Sequence, residues 1–413
     1  MMDAALEKLF DIFESRGKSL YIVGGAVRDM LLGEHPKDYD LTTDATPQEM
    51  EGWFDEVITL GKSYGTIGVL MEGRVYEITT FRRETLYTDG RHPDGVAFTD
   101  DPREDVSRRD FTVNGLLMDR RGVIFDYVGG LRDIKDGVVR CIGSPEERFD
   151  EDRLRKWRGI RLAAEKGLEV DDALRKAIEE NPTTEGVSVE RIAQELNRIL
   201  MSPKVAWGGY LLVRTGLLAE LFNRSVPAFV SRCEDYLIDS FEIMVGQPAA
   251  LELRLAALVL NMLPEERKTF LRAMHYSSRL TDQVLKLCDY VLVDCTDVVK
   301  FKGCLAELGR QEAIRLLEFR KSIAEWNRDA ACAKKVEANI QAWQRIEAAG
   351  EPLLLSELAV SGREVAALGY SGPEIAAALN RLLEYVYLHP EENQRDRLLA
   401  RLEREDHGKT DLA

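Results

Sequence analysis

The sequence lacks an apolar run of the ~20 residues that cross a bilayer. Its richest stretch, Leu255 to Leu263, already contains Asn261, so no membrane partner is expected. Met1 to Lys18 reads as an acidic amphipathic helix and lacks the pattern of a signal peptide, so no secretory leader is expected. Six cysteines lie scattered at 141, 233, 288, 295, 304 and 332 without a C-x-x-C pair. That spacing offers neither a zinc site nor a disulfide framework, and reduced thiols in the cytoplasm are expected. Positive charge is scarce: the net charge is −16. Such a chain repels phosphate at long range, which excludes a nonspecific nucleic-acid coat. Any nucleic acid must then be held through local basic patches.

What is present is an ordinary globular balance, 45% apolar and 31% charged, over 413 residues. That length implies roughly two to four domains. Short β-forming runs recur over the first ~140 residues, a size typical of one domain: Ser19–Val23, Asp38–Leu41, Ile67–Met71, Val75–Phe81, Asn114–Asp119 and Val123–Asp126. Gly33 is placed to end a helix begun near Ala26. Thr46-Pro47-Gln48-Glu49 spells a helix start, with Thr as cap and Glu at the third position. From about Glu146 the apolar residues recur at three- and four-residue spacing, predicting helices over Glu147–Lys166, Asp171–Glu180, Ser188–Met201, Ala206–Leu221 and Gln311–Ala348, among others. The expected class is α+β, a mixed head followed by a long helical body.

Two features in the head carry chemistry. Tyr21-Ile22-Val23-Gly24-Gly25-Ala26-Val27-Arg28-Asp29 runs from strand through a Gly-Gly turn into a helix. Glycines admit a phosphate close to backbone amides, and a helix start favours negative charge. Arg28 can reach the same anion with a forked guanidinium. Alone, such a turn is more often plain architecture. Ten residues past Arg28 stands Asp38-Tyr39-Asp40. On a strand both carboxylates face one side and Tyr39 the other. Two converging acids raise each other's pKa unless a cation sits between them. A magnesium ion satisfies both, with waters and substrate phosphates completing its octahedron. Glu77, in the β-forming run Tyr76 to Arg82, is a candidate third acid or an exposed-face glutamate.

Together with Arg108-Arg109-Asp110-Phe111-Thr112-Val113-Asn114, these motifs resemble the class II tRNA nucleotidyltransferases and bacterial poly(A) polymerases. Asp126-Tyr127-Val128-Gly129-Gly130 with Asp133 is similar to the family's hinge region. Glu151-Asp152-Arg153-Leu154-Arg155, followed by Arg158 and Arg161, resembles its nucleotide-selecting motif. Ser188-Val189-Glu190-Arg191 with Glu195-Leu196, and Glu357 to Arg363 with Gly372-Pro373, resemble later family segments. Lys156, Trp157 and Gly159 depart from the smaller or more aliphatic residues expected there.

The resemblance implies a nucleotidyltransferase head of DNA polymerase beta superfamily type over residues 1–140. An all-helical neck (141–205), body (206–320) and tRNA-binding tail (321–413) would follow. It implies addition of C, C and A to the tRNA 3′ end from CTP and ATP, with Mg2+ held by Asp38 and Asp40. A-only or poly(A) addition is the alternative inside the family. A noncatalytic RNA-binding protein on the same scaffold is the alternative outside it. Nucleotide contacts fall on Gly25, Arg28, Arg109, Asp152, Arg155, Arg158 and Arg161, with Asp110 beside them.

Asp152 and Arg155, about one turn apart on a helix, can act as a pair. A carboxylate accepting from an exocyclic amino group, with a guanidinium donating to a ring nitrogen, selects C and A over U and G. The segment Arg83 to Thr99 resembles the loop that family members need for adding A. Leu258 to Asn261 stands where some members carry a His-Asp phosphohydrolase pair, and no such activity is expected. A basic strip from Arg153, Arg158, Arg161, Arg191 and Arg198, extended by Arg395, Arg397 and Arg401, is expected to meet the RNA backbone.

Overall fold

The computed structural model describes residues 4–59, 61–84, 95–231, 234–291 and 297–410. They form two compact units: Met1–Ile238 with Ala273–His275, and Asp239–Arg272 with Tyr276–Ala413. Among the described residues no single helix is long and apolar enough to cross a membrane.

The first unit begins with α1 (Ala4–Glu14), which buries Leu6, Leu9, Phe10 and Phe13 along one face. There follow β1 (Leu20–Val23), α2 (Gly25–Leu31), β2 (Asp40–Thr43), α3 (Pro47–Glu51), β3 (Val57–Ile58), β4 (Thr66–Met71) and β5 (Arg74–Thr80). The hairpin β6 (Arg82–Glu84) and β7 (Val96–Phe98), then α4 (Pro102–Ser107), lead to β8 (Leu116–Met118) and β9 (Ile124–Asp126). One mixed sheet runs β3-β4-β5-β2-β1-β8-β9. All its neighbours are antiparallel except β2 and β5, whose parallel register sets Asp40 beside Glu77. Ile22, Leu41, Ile67, Val69 and Ile78 pack one face of this sheet against α1. Burying each such side chain contributes about 1.5–3 kcal/mol. On the other face Val23 and Leu117 pack with Val106 and Ile142.

The predicted cap at Thr46 forms in full: its side chain accepts from Glu49 N, and Glu49 reaches back to the Thr46 amide. Gly33 lies in the left-handed region just past α2, as its placement predicts.

Helix α5 (Gly130–Asp136) follows β9, and Asp126 caps it by accepting from the amides of Val128, Gly129, Gly130 and Leu131 at 2.8–3.1 Å. β10 (Val138–Val139) pairs in parallel with β11 (Glu169–Val170). Between them lie α6 (Pro145–Glu151) and α7 (Arg155–Lys166), and after them α8 (Asp172–Glu180), α9 (Val189–Leu200), α10 (Val205–Arg214) and α11 (Leu217–Asn223).

Three predicted helices are in fact pairs. Glu147–Lys166 breaks at Asp152, which is extended and ends α6; its Oδ1 accepts from Leu154 N. The premise that Asp152 and Arg155 share one helix is therefore corrected. Ala206–Leu221 breaks at Gly216, whose φ is 74°. Gln311–Ala348 breaks around Arg328, at φ 53°, and Asp329 caps the next helix by accepting from Cys332 N. The strand expected over Asp38–Leu41 starts only at Asp40, so Asp38 precedes it in a bend.

The family departures in α7 have local reasons. Lys156 is buried and donates to the carbonyls of Asn181 and Thr183 at 2.6 and 2.8 Å. Trp157 is fully buried. Gly159 leaves room for the Phe111 ring, which a β-carbon would meet at 3.2 Å.

The second unit is helical. Phe301, Leu305, Leu317, Trp343 and Leu353 form one core. Leu382, Val386, Leu398 and Leu402 centre another.

Candidate active site

Three segments of the first unit converge: the β1–α2 turn, the start of β2, and the stretch from Arg108 to Asn114. Gly24 has φ 74°, a conformation that side-chain-bearing residues rarely adopt. A β-carbon there would lie 3.8 Å from an Arg109 guanidinium nitrogen and 3.9 Å from Asp40 Oδ2. The turn thus brings bare backbone against both an arginine and a carboxylate.

Asp38 and Asp40 stand between two cavities. One, of about 770 Å³, is also lined by Gly25, Arg28, Lys37, Asn114, Arg158, Arg161, Lys166 and Arg198. The other, of about 640 Å³, is lined by Lys37, Arg74, Tyr76 and Glu77. Tyr39, partly buried against the core, lines this second cavity beside both carboxylates; the expected alternation is corrected, because Asp38 and Tyr39 precede the strand. Enclosure by the cleft walls pushes the Asp40 carboxyl above its ordinary pKa; the Arg109 charge opposes this and Asp38 adds to it. A neighbouring cation would remove that conflict.

Among the described residues no three acids, histidines or cysteines gather tightly enough to hold a metal ion by themselves. Glu77, beside Asp40 in the sheet, does not complete a three-carboxylate cage. Two carboxylates are nonetheless a donor set that magnesium accepts when phosphate oxygens and water fill its other positions.

The arginines are held by acids. Arg28 is 9% exposed; it donates to Asp29 Oδ1 at 2.7 and 2.9 Å and to Asn114 Oδ1 at 2.5 Å. Asn114 in turn donates to Asp110 Oδ1 at 3.2 Å. Asp110 is buried and pairs with Arg158 at 2.6 Å. Burial works to raise the Asp110 pKa, but Arg158, Asn114 and Arg155 hold it below the usual carboxylate range. Asp105, wholly buried, anchors Arg108 at 2.6 Å and Arg109 at 2.9 Å. Arg161 is bound by Glu165 and Glu195.

Of the residues singled out from sequence, Gly25, Arg28, Asp38, Asp40, Arg158 and Arg161 line one cleft. Arg109 stands behind Gly24 at its back. Asp152 and Arg155 do not line that cleft. Asp152 Oδ2 accepts from Arg191 at 2.7 Å. Arg155 is bound to Glu151 and to the carbonyls of Arg148 and Arg108.

The sequence motifs give no role to Asn114, Asp105 or Lys166. Asn114 lay inside the quoted Arg108–Asn114 motif. Asp105 and Lys166 carry no local pattern that marks them. The neck arginines of the expected basic strip are occupied: Arg153 by the Glu185 carbonyl, Arg191 by Asp152 and Arg198 by Glu165. In the second unit Arg395 pairs with Glu364 and Arg397 with Glu392. Tyr87 and Asp89 to Asp94, the centre of the expected A-adding loop, lie outside the described residues; the flanks pair as β6 and β7.

Residues 20–140 match the family model described as "Poly A polymerase head domain", and residues 167–229 match "Probable RNA and SrmB- binding site of polymerase A". The CCA-adding enzyme of Geobacillus kaustophilus is 32% identical over 388 residues, which cover 93% of this chain and 92% of that one. The CCA-adding enzyme of Lactobacillus helveticus is 35% identical over 299 residues, 69% of this chain and 73% of its own. The crystal structure of the Bacillus stearothermophilus CCA-adding enzyme in complex with CTP aligns with a TM-score of 0.78 and 27% identity, covering 100% of each chain.

Proposed function

The chain belongs to the family of CCA-adding enzymes, and from that premise we propose that it adds C, C and A to the 3′ end of tRNA from CTP and ATP, releasing pyrophosphate. The observation that carries this reading is the position of Asp38 and Asp40 on the walls of two cavities, beside a glycine turn and the arginines Arg28, Arg158, Arg161 and Arg198. A group transfer between two large substrates needs that arrangement, because both must reach the same pair of carboxylates.

We assign the triphosphate to the cavity of Arg28, Arg158 and Arg161. α2 has only seven residues, so the guanidiniums rather than a helix dipole supply the charge. Asp29 and Asn114 fix the plane of Arg28, which lets it meet phosphate without a large ordering cost. Arg109, anchored by Asp105, stands ready beside the turn. The RNA 3′ end enters from the cavity of Arg74 and Glu77. Asp38 and Asp40 are the residues to hold Mg2+, which when bound neutralises charge at the α-phosphate and acidifies the attacking hydroxyl. The remaining rate comes from positioning and electrostatics, as phosphoryl-type transfer generally requires.

Asp152 and Arg155 are assigned to reading the base, Asp152 accepting from the amino group and Arg155 donating to the ring nitrogen. Their fixed placement by Arg191 and Glu151 supports this, since a selective site gains from being rigid before its ligand arrives. The domain division at about residues 140, 205 and 320 is proposed from the family resemblance, and the head-domain match over residues 20–140 supports its first boundary. A cytoplasmic location is proposed from the scattered spacing of the six cysteines, which offers no disulfide framework.

The test uses the full chain with tRNA lacking its last three nucleotides, each triphosphate, and magnesium. Sequencing the 3′ ends is expected to show C, C, A. A ladder of A would favour the poly(A) alternative, and A only on tRNA already ending in CC would favour the A-adding one. Incorporation of nothing would refute the enzymatic reading. Asp40→Ala is expected to abolish transfer while tRNA binding persists; retained transfer would remove Asp40 from the site.

A further inference from the structure

Helix α7 meets the head at three heights. At its first turn Arg155 donates to the Arg108 carbonyl at 3.4 Å. One turn on, Arg158 pairs with Asp110 at 2.6 Å. At its last turn Lys166 pairs with Asp29 at 2.8 Å and Glu34 at 2.5 Å. The Lys166 side chain is only 11% exposed, which is unusual for lysine. Eleven residues of helix separate Arg155 from Lys166, a rise of about 16 Å.

The oxygen that receives Lys166 is Asp29 Oδ1, and it is also the oxygen that receives both Arg28 bonds. Burial would push the Asp29 pKa up, yet Lys166 and Arg28 together hold it below the ordinary value. The carboxylate is therefore ionised and shared between the last turn of α7 and the triphosphate-binding arginine. A displacement of α7 along its axis moves Lys166, then Asp29, then the plane of Arg28.

We infer that Lys166 is a positioning residue that couples base reading at one end of α7 to the alignment of Arg28 at the other. This rests on the assignment of the base to Asp152 and Arg155 and of the triphosphate to Arg28. A matched base leaves α7 seated, and Arg28 stays aligned on the phosphates. A mismatched base leaves the Asp152–Arg155 pair unsatisfied, α7 shifts, and Lys166 carries that shift to Arg28. Discrimination against U and G then exceeds what the base contacts supply alone.

The experiment compares kcat and KM for CTP and UTP on tRNA lacking CCA, using the wild-type chain, Lys166→Met and Lys166→Arg. Lys166→Met is expected to lower the CTP-over-UTP ratio of kcat/KM about tenfold, within the range of ordinary coupling between sites. The KM for tRNA is expected to stay unchanged, and Lys166→Arg is expected to restore most of the ratio. An equal fall for CTP and UTP would overturn the inference and leave Lys166 a simple tether. Should Lys166→Met fail to fold, Glu34→Gln removes one half-exposed partner of the clamp. A smaller loss of the same ratio is expected there, and an unchanged ratio overturns the inference equally. Addition of C, C and A by the wild-type chain keeps the functional reading intact whatever the variants do.

Discussion

Replacing Lys156 with methionine is expected to remove a pH dependence from the stability of the first unit. Lys156 is 1% exposed, and its ammonium rests on the Asn181 and Thr183 carbonyls and 5.2 Å from the Phe149 ring centre. Burial, helped by Arg153 and opposed by Glu220 and Asp150, pushes its pKa from 10.5 to about 8. In the unfolded chain the amine keeps its proton up to the ordinary value. Between these two points the unfolded chain binds more protons, so stability rises with pH across the window. Below it both states are charged, and the folded state bears the full cost of burying an ammonium. The separation is worth about 3 kcal/mol. Methionine removes that cost but leaves two carbonyls without a donor, at about 1–3 kcal/mol each. The two effects nearly offset at neutral pH, so the decisive quantity is the change with pH. Urea unfolding, read by tryptophan emission, would be measured for both proteins at about pH 7.5 and about pH 10.5. The stability of the wild type relative to the variant is expected to grow by up to ~3 kcal/mol over that interval. Burial holds the Cys141 and Cys288 thiols up near 12 in both proteins, so their contribution cancels. A difference that stays constant across the window would refute the reasoning.

Two further outcomes are expected. In Gly130→Ala the new β-carbon would lie 2.2 Å from the Thr112 carbonyl oxygen. Overpacking of this kind costs about 1–3 kcal/mol or more, seen as a lower Tm, and kcat should fall further because the same turn carries Asn114; an unchanged Tm would contradict the packing. Glu151→Gln removes a charge that holds Arg155. Its KM for CTP and ATP is expected to rise by about 10-fold or more, as a lost charge-assisted hydrogen bond implies, while the KM for tRNA stays put; an equal rise in both would count against base reading by Arg155.

Much of the head was legible because its signals are local. The strand-turn-helix around Gly24 and the Thr46 cap each depend on a few neighbouring residues. The break at Asp152 was not legible, because nothing in Glu151 to Arg155 punctuates a helix. It arises when Asp152 turns its carboxylate to Leu154 N and to Arg191 on α9, a contact nearly forty residues away. The break at Gly216 carried a visible glycine, and Asp329 a visible cap, yet apolar periodicity ran through both. Asp38 and Asp40 were found as a pair, but the arginines around them look like free cations in the sequence. Asp110 reaches Arg158 only through the fold, whereas Asp105 and Glu165 stand four residues from Arg109 and Arg161 and differ from ordinary surface pairs only in their burial.

The pairing of β1 with β8 sets a timetable for synthesis. Ile22 finds Met118 as its partner, so a growing chain must wait for that strand before the central ladder closes. At roughly 5–20 residues per second this is a delay of several seconds. Arg158 and Lys166, which form the far wall of the cleft, emerge later still. A chain halted before them would hold both carboxylates and the glycine turn but no enclosed place for a nucleotide.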